Sequence, residues 1–168
     1  MDVVAQRREE LYRTFLDAKR DLPSLLDDPR RWYAFETTTF EPHITRALCR
    51  YANGGLLLHL LRKGTREPDP HGHPRDIVVE LCEGRYSMTR GAITHGVLGP
   101  QSAPEIFSAG SFYTLLTSES HTIDVLSDRV LSVCYVAEKT LGALTQEQTT
   151  PLTKPQKLDH LARFRDYC

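Results

Sequence analysis

The sequence predicts a mainly β protein, an antiparallel sandwich or barrel with helices at both ends, and three observations support this. From residue 43 to about residue 138, short apolar runs alternate with turn signals rich in glycine and proline. Both ends of the chain instead carry apolar residues at helical spacing. The length of 168 residues favours one compact domain over two.

The N-terminal segment, residues 3–20, is predicted to form an amphipathic helix. Its apolar residues fall on one face, and its arginine and glutamate residues lie mostly elsewhere. A second short helix is expected within residues 22–34, interrupted at Pro29. Together they predict a helical lead over residues 3–34. The apolar face of the first helix consists of Val4, Leu11, Phe15 and Ala18.

The central region, residues 43–138, is predicted to contain about eight strands, because each apolar run is followed by a turn signal. Residues 63–70 are predicted to form a polar loop, since a glycine and two prolines fall within them. The apolar runs are residues 44–51, 56–62, 77–82, 86–89, 94–98, 106–108, 111–117, 121–126 and 130–137.

The C-terminal segment is predicted to contain one more helix. A polar linker, TQEQTTPLTK, follows residue 144, and residues 155–166 then show apolar residues at helical spacing with Pro155 at the start. Both terminal helices are expected to pack on the outside of the sheet. The whole chain, residues 1–168, is therefore predicted to be a single domain.

Composition excludes several classes of function. Hydrophobic residues make up 40% of the chain and charged residues 26%, values typical of a globular protein with a real core. The net charge of −1 gives no basic footprint for nucleic acid. No apolar run approaches the roughly 20 residues of a membrane helix. The charged N-terminus does not resemble a secretory signal, so we expect a cytoplasmic protein.

The cysteines are expected to be structural. They lie far apart and form no CxxC pair, which argues against a zinc knuckle. Small buried thiols in a reducing compartment are the simplest interpretation. The four are Cys49, Cys82, Cys134 and Cys168.

The chemically informative stretch is the pair His71 and His73, which precedes an apolar run. Side chains two residues apart in a strand point to the same face, so the two imidazoles project together at the start of a strand. Such a pair can bind one divalent ion from adjacent corners of its coordination sphere. His121, which also opens an apolar run, is the natural third ligand.

The same stretch resembles the first cupin motif, which reads Gly, five residues, His-x-His, three or four residues, Glu, six residues, Gly. His73 and Gly84 have the family spacing, and Gly110 and His121 match the spacing of the second motif. The string HPRDIVVELCEGRY is similar to a group of small cupins with H-x-H-P-x-D followed by G-x-Y. The resemblance covers residues 56–137 and implies a cupin-type antiparallel jelly-roll barrel.

The chain departs from the family at the usual metal-binding glutamate, where Ile77 and Val78 stand instead. Gly64 lies one residue early, and the second motif lacks its Pro, Gly and Asn. What remains resembles the three-histidine site of thiol dioxygenases. That resemblance implies Fe(II), with Zn²⁺, Mn²⁺ or Ni²⁺ as alternatives, and a small-molecule substrate together with O₂. Leu116, Ser118 and Val125 occupy the second-motif positions.

Asp76 and Glu80 are the candidates to replace the missing carboxylate. Simple strand parity argues against both, because the set that shares a face with His71 and His73 continues through odd-numbered positions. A bulge at Pro74 would reverse this parity and bring Asp76 to the metal. Asp76 therefore stands as a candidate additional ligand. The odd-numbered set is Arg75, Ile77, Val79 and Leu81.

Three further side chains are candidates for catalysis. Arg75 shares parity with the histidines, so we expect it to anchor an acidic group of the substrate through its guanidinium. Tyr86 and Tyr113 are expected to line the cavity or donate a proton. Arg46, Arg62 and Arg90 face either the interior or solvent. Of the remaining histidines, His59 is interpreted as a packing residue. The others, His43, His95 and His160, are interpreted as surface or loop residues.

Three functions fit these residues. The first is a non-heme Fe(II) oxygenase or dioxygenase that acts on a small polar or anionic metabolite, since three neutral imidazoles leave the iron its full charge and open positions. The second is a non-redox metal-dependent isomerase, lyase or hydrolase. The third is a non-catalytic binding cupin. Neither a nucleic-acid nor a membrane partner is expected, whereas the resemblance allows a homodimer.

Overall fold

Two antiparallel sheets face each other to form the barrel of this protein, seen in a computed structural model that describes residues 2–39, 41–138 and 149–167. Helix α1 (Val3–Leu26) leads into the barrel and α2 (Lys154–Ala162) follows it. The described residues form twelve strands, which are β1 (Trp32–Thr37), β2 (Ile44–Tyr51), β3 (Gly54–Arg62), β4 (Arg66–Gly72), β5 (Ile77–Glu83), β6 (Arg85–Thr94), β7 (Val97–Leu98), β8 (Glu105–Ser108), β9 (Phe112–Leu115), β10 (Glu119–Val125), β11 (Arg129–Val136) and β12 (Thr149–Pro151).

The larger sheet has seven strands in the order β12-β1-β2-β3-β11-β5-β9. The smaller sheet runs β4-β10-β6-β7, and β8 also pairs with β6. Strands distant in sequence are neighbours in both sheets, as in β3–β11 and β4–β10. The predicted mainly β, antiparallel jelly-roll class with a helix at each end is confirmed. None of the described helices is long and apolar enough to cross a membrane.

The N-terminal prediction needs one correction. Helix α1 continues past residue 20, through Pro23, to Leu26, and the second helix expected within residues 22–34 does not form. Residues 29–31 make a single 3₁₀ turn, and the chain then enters β1, which pairs with β2. A residue that precedes proline is biased away from the helical region, so Asp28 before Pro29 is a natural end point.

The loop predicted over residues 63–70 is also wrong, because β4 occupies Arg66–Gly72. Two prolines in this segment suggested a loop, but proline is tolerated in an edge strand, where one side of the backbone needs no partner. Within the described part of the chain, β4 is such an edge and pairs with β10. Similarly, the predicted linker contains β12, which pairs with β1. Residues 139–148 of that region lie outside the described residues.

Successive side chains along the strands of the larger sheet point to opposite faces, and each face contributes to its own hydrophobic core. On β3, for example, Leu56 and Leu58 face outward toward the helices, whereas Leu57 and Leu61 face into the barrel. The outer core is closed by α1 and by the C-terminal segment, as predicted. The α1 residues in it are Leu11, Phe15, Ala18, Leu22, Leu25 and Leu26, and the C-terminal ones are Leu161 and Phe164.

Both helices begin at capped positions that the sequence encodes. The Asp2 side chain accepts a hydrogen bond from the Val4 amide at 3.0 Å, which satisfies one of the free amide groups of the first turn of α1. In α2, Thr153 and Gln156 form a reciprocal capping box, with a proline in the first turn. These caps fix where each helix starts relative to the sheet.

Candidate metal centre

Three histidines meet at one end of the barrel, and they are the three that the sequence singles out. His71 lies near the end of β4, His73 lies in the turn that follows, and His121 is on β10. In the ladder between β4 and β10, His71 is directly opposite His121. One potential ligand atom from each ring lies within 4.8 Å of the others, and the Nε2 atoms of His73 and His121 are 2.8 Å apart.

The burial of His121 and the backbone hydrogen bond of His71 both suit metal binding. His121 is only 3% exposed, and burial, with smaller contributions from His73 and His71, lowers its pKa to about 2. It is therefore neutral at physiological pH and has a lone pair on one nitrogen. The His71 Nδ1 lies 3.1 Å from the Asp69 carbonyl oxygen. Because a carbonyl only accepts hydrogen bonds, Nδ1 donates and Nε2 is left as the ligand atom.

The donor set fits a divalent transition metal. Two imidazole nitrogens at 2.8 Å need a proton or a cation between them. A metal bound at ~2.1 Å from each of two nitrogens at adjacent corners holds them about 3 Å apart. His71, His73 and His121 would hold the ion, and imidazole suits zinc, iron, nickel and copper alike.

Asp76, predicted as an additional ligand, lies outside this cluster. Its Oδ2 accepts a hydrogen bond from the Arg7 Nε at 2.8 Å, and its Oδ1 accepts one from the Thr117 amide at 2.9 Å. Both carboxylate oxygens are therefore used by α1 and by the turn before β10. Glu80 is similarly bound by the Lys19 ammonium at 2.6 and 2.8 Å on the outer face of the sheet.

Arg75 also departs from its predicted place. Its side chain is exposed and donates to the neighbouring Pro74 carbonyl at 3.3 Å, so it does not line the cavity. The parity prediction required one continuous strand through the histidines and Arg75. In the structure β4 ends at Gly72 and β5 begins at Ile77, and the intervening turn breaks the alternation. Beyond the turn, Ile77, Val79 and Leu81 face inward as predicted.

A cavity of about 70 Å³ lies between the two sheets, next to His73 and His121. At ~15 Å³ for each water molecule, it holds about five waters or a small metabolite of similar size. Apolar and polar side chains both line it, as expected for a ligand site. The polar lining residues are Arg46, His59, Glu67, Ser132, Tyr86 and Tyr113, in addition to the two histidines.

Tyr86 and Tyr113 lie in the cavity wall, with their hydroxyl oxygens 2.5 Å apart. Burial raises the pKa of both hydroxyls well above the ordinary value, so both keep their protons at neutral pH. They are therefore placed to donate hydrogen bonds and not to act as bases. The Arg90 Cζ lies 5.0 Å from the centroid of the Tyr113 ring, and this cation–π contact helps to hold the ring in place.

The most important residue that the sequence analysis missed is Glu67. Its side chain is 11% exposed, it lines the cavity, and its Oε2 lies 3.5 Å from the His71 Nε2. The predicted loop over residues 63–70 concealed it, since a loop assigns no face to a side chain. Parity counted backward from His71 does not single it out, because Asp69 has the same parity and is exposed, and the pairing of β4 with β10 is irregular between them.

A row of polar residues on the larger sheet was also not recognised. Arg46, His59 and Ser132 are direct neighbours across β2, β3 and β11, and all three line the cavity. The available signal was a polar residue at an inward position of an otherwise apolar strand. His59 had been expected to pack near the site, which agrees with its position. His160, expected at the surface, is instead fully buried.

Comparison with known proteins gives distant matches of fold alone. No family model matches the chain, and no curated protein matches it either. A predicted oxalate decarboxylase from Thermotoga maritima is 11% identical over 66% of this chain and 96% of its own, with a TM-score of 0.49. An RmlC-like cupin from Shewanella frigidimarina is 14% identical over 60% and 80%, with a TM-score of 0.45.

A third structure, the hydroxypropylphosphonic acid epoxidase from S. wedmorenis, is 10% identical over 55% of this chain and 50% of its own, with a TM-score of 0.42. The architecture of the chain itself is more informative than these similarities. It has two facing antiparallel sheets, and His71, His73 and His121 lie together at one end, where His73 and His121 line the cavity. The chain is a small antiparallel β-barrel with a cluster of three histidines.

Proposed function

We propose that this protein is a metal-dependent enzyme that acts on a small anionic metabolite inside the barrel, and that it works as a non-heme Fe(II) oxygenase. The observation that carries the proposal is the cluster of His71, His73 and His121 at the edge of a cavity between the two sheets. When bound, the metal would supply Lewis acidity and, as Fe(II), redox chemistry with dioxygen at the positions that three nitrogen ligands leave open.

The larger sheet would bind the substrate. Arg46 lines the same cavity as His73 and His121 but belongs to the opposite sheet. A guanidinium stays charged at any physiological pH and matches a carboxylate or phosphate through paired hydrogen bonds. Arg46 therefore takes the anchoring role that the sequence analysis gave to Arg75, and it orients an acidic substrate between the two sheets.

Tyr86 and Tyr113 would hold protons next to the substrate. Their hydroxyl groups are buried and protonated, so they can donate hydrogen bonds to a substrate oxygen as charge develops there. Apolar side chains lie between these polar groups and lower the local polarity, which strengthens each electrostatic contact. The small cavity limits the substrate to a few non-hydrogen atoms.

The reaction class is tested by reconstituting metal-free protein anaerobically with Fe²⁺ or with Zn²⁺. Each form is then offered a panel of small thiols, amino acids and hydroxy acids, and oxygen consumption and product formation are followed. Oxygen uptake with the iron form alone supports the oxygenase. Equal turnover with zinc and no oxygen uptake contradicts it, and would favour an isomerase, lyase or hydrolase that uses the metal as Lewis acid.

A further inference from the structure

We propose that Glu67 is a fourth ligand of this metal site, so that the centre consists of three histidines and one carboxylate. The carboxylate would come from the strand before the histidine pair and not from the positions that follow it. This inference rests on the proposed metal binding and extends it to a residue that no motif in the sequence indicates.

Strand geometry places Glu67 beside the histidines. Glu67 and His71 are both on β4, and the β10 residues opposite them are two apart and lie on one face of β10. Opposite them on β10, His71 pairs with His121 and Glu67 pairs with Ile123. Four residues of β4 thus span two residues of β10. A bulge of this kind bends the strand and re-aims its side chains, which draws Glu67 toward the histidine cluster.

The chemistry of the contact points to a cation. The His71 Nδ1 donates to the Asp69 carbonyl, so Nε2 is the nitrogen left for another partner. This nitrogen lies 3.5 Å from the Glu67 Oε2. A carboxylate oxygen and an imidazole nitrogen so close together can share a metal ion, with one ligand atom from each side chain. The neighbouring His73 and His121 nitrogens supply further donors for a metal.

Asp76 and Glu80 are held away from the histidine cluster. Asp76 binds Arg7 and the Thr117 amide, and Glu80 binds Lys19. Of the described residues that line the cavity, Glu67 is the one acid. A carboxylate ligand would lower the charge of the bound ion by one and would leave roughly two open positions in a six-coordinate site.

The test uses the full-length protein, Co²⁺ as the probe and two variants. Co²⁺ affinity and the visible absorption spectrum of the complex are measured for the wild type, for Glu67→Gln and for Asp69→Asn. The last is the matched control, because it makes the same change of charge two residues away on the same strand, at an exposed side chain. We expect Glu67→Gln to lose affinity about 10- to 100-fold and to shift the spectrum, and Asp69→Asn to change neither.

An unchanged affinity and spectrum in Glu67→Gln would overturn the proposal and would make Glu67 the counter-ion of a protonated His71. A wild-type protein that binds no Co²⁺ would instead reject the metal site itself, so the two failures are distinguishable. If Glu67→Gln does not fold, the wild type still gives an answer. Addition of Zn²⁺ must then shift the carboxyl ¹³C resonance of Glu67, and a resonance that does not move contradicts the proposal.

Discussion

The two faces of the seven-stranded sheet carry different kinds of burial. The outer face meets α1 and α2 through apolar side chains, among which Phe15 and Phe164 are fully buried. The inner face is also largely apolar but includes Arg46, His59 and Ser132, which face a cavity. Burying polar groups costs free energy, whereas burying apolar ones is favourable. The outer face therefore stabilises the fold, whereas the inner face gives up some stability to place polar groups at a cavity.

The two faces are connected at the metal-binding end. Arg7 and Arg8 of α1 form ion pairs with Asp76 and Glu119, which lie three residues after His73 and two residues before His121. Asp76 also accepts the Thr117 amide. The helix that closes the outer core therefore also holds the two segments that carry metal ligands.

The largest effect is expected from Phe15→Ala on the outer face. Removing a fully buried aromatic side chain costs about 3–5 kcal/mol of unfolding free energy, because it leaves a cavity that the neighbours fill only in part. Leu16→Ala is the matched control, since Leu16 is 44% exposed, and it should cost below about 0.5 kcal/mol. Denaturant unfolding measures both. A Phe15→Ala variant as stable as the control would remove the distinction between the faces.

A smaller loss of stability is expected on acidification, through His160 on the outer face. Burial lowers the pKa of His160 to about 4, and its Nε2 donates to the Leu58 carbonyl at 3.1 Å. The unfolded chain has the ordinary value of 6.5 and so binds the proton more tightly than the folded state. Stability is therefore complete above pH 6.5 and falls as the pH drops toward 4, by up to about 3 kcal/mol.

The measurement is the unfolding free energy between pH 7 and pH 4 for the wild type and for His160→Gln, which keeps a donor for the Leu58 carbonyl. The variant should lose the part of the pH dependence that belongs to His160, and His121 accounts for a remaining part in the same direction. Identical slopes in the two proteins would show that His160 has the same pKa in the folded and unfolded states.

A third prediction concerns the link between the faces. Arg7→Gln combined with Arg8→Gln should weaken metal affinity about 10-fold, because outer contacts of this kind orient the segments that carry ligands. Arg13→Gln is the control on the same helix, since Arg13 pairs with Glu9 in solvent. Titration with Co²⁺ measures all three proteins. Equal affinities would mean that α1 only covers the sheet.

The smallest effect is expected at the tyrosine pair inside the barrel. Tyr113→Phe leaves the buried Tyr86 hydroxyl without its partner and should cost about 1 kcal/mol of unfolding free energy. The double variant Tyr86→Phe, Tyr113→Phe should cost less than the sum of the single changes, because no hydroxyl is left unsatisfied. Strict additivity in a double-mutant cycle would indicate that the two hydroxyls do not interact.

The histidines were predictable from sequence, whereas their surroundings were not. His71 and His73 follow from strand parity, and His121 from its spacing to Gly110. Most strands were also predictable, since their apolar runs repeat along the chain. Glu67 was missed because prolines in β4 suggested a loop, and only the pairing of strands shows that β4 is an edge.

Two other errors have the same physical origin. The alternation of side chains was applied to the turn after His73, where it does not hold. This placed Arg75 inside the barrel. His160 was interpreted as a surface or loop residue because it has no partner at ligand spacing, but its helix presents that side chain to the sheet. Each case depends on which elements meet in the folded chain, which local patterns do not encode.

The central claim is that His71, His73 and His121 bind one divalent metal ion. Elemental analysis of the purified wild type and of His121→Ala tests it most directly, with His95→Ala as the control, because His95 is exposed in the turn between β6 and β7. We expect about one metal ion per chain in the wild type and in His95→Ala, and almost none in His121→Ala, which should still fold on its apolar cores. Equal metal content in all three proteins would contradict the assignment.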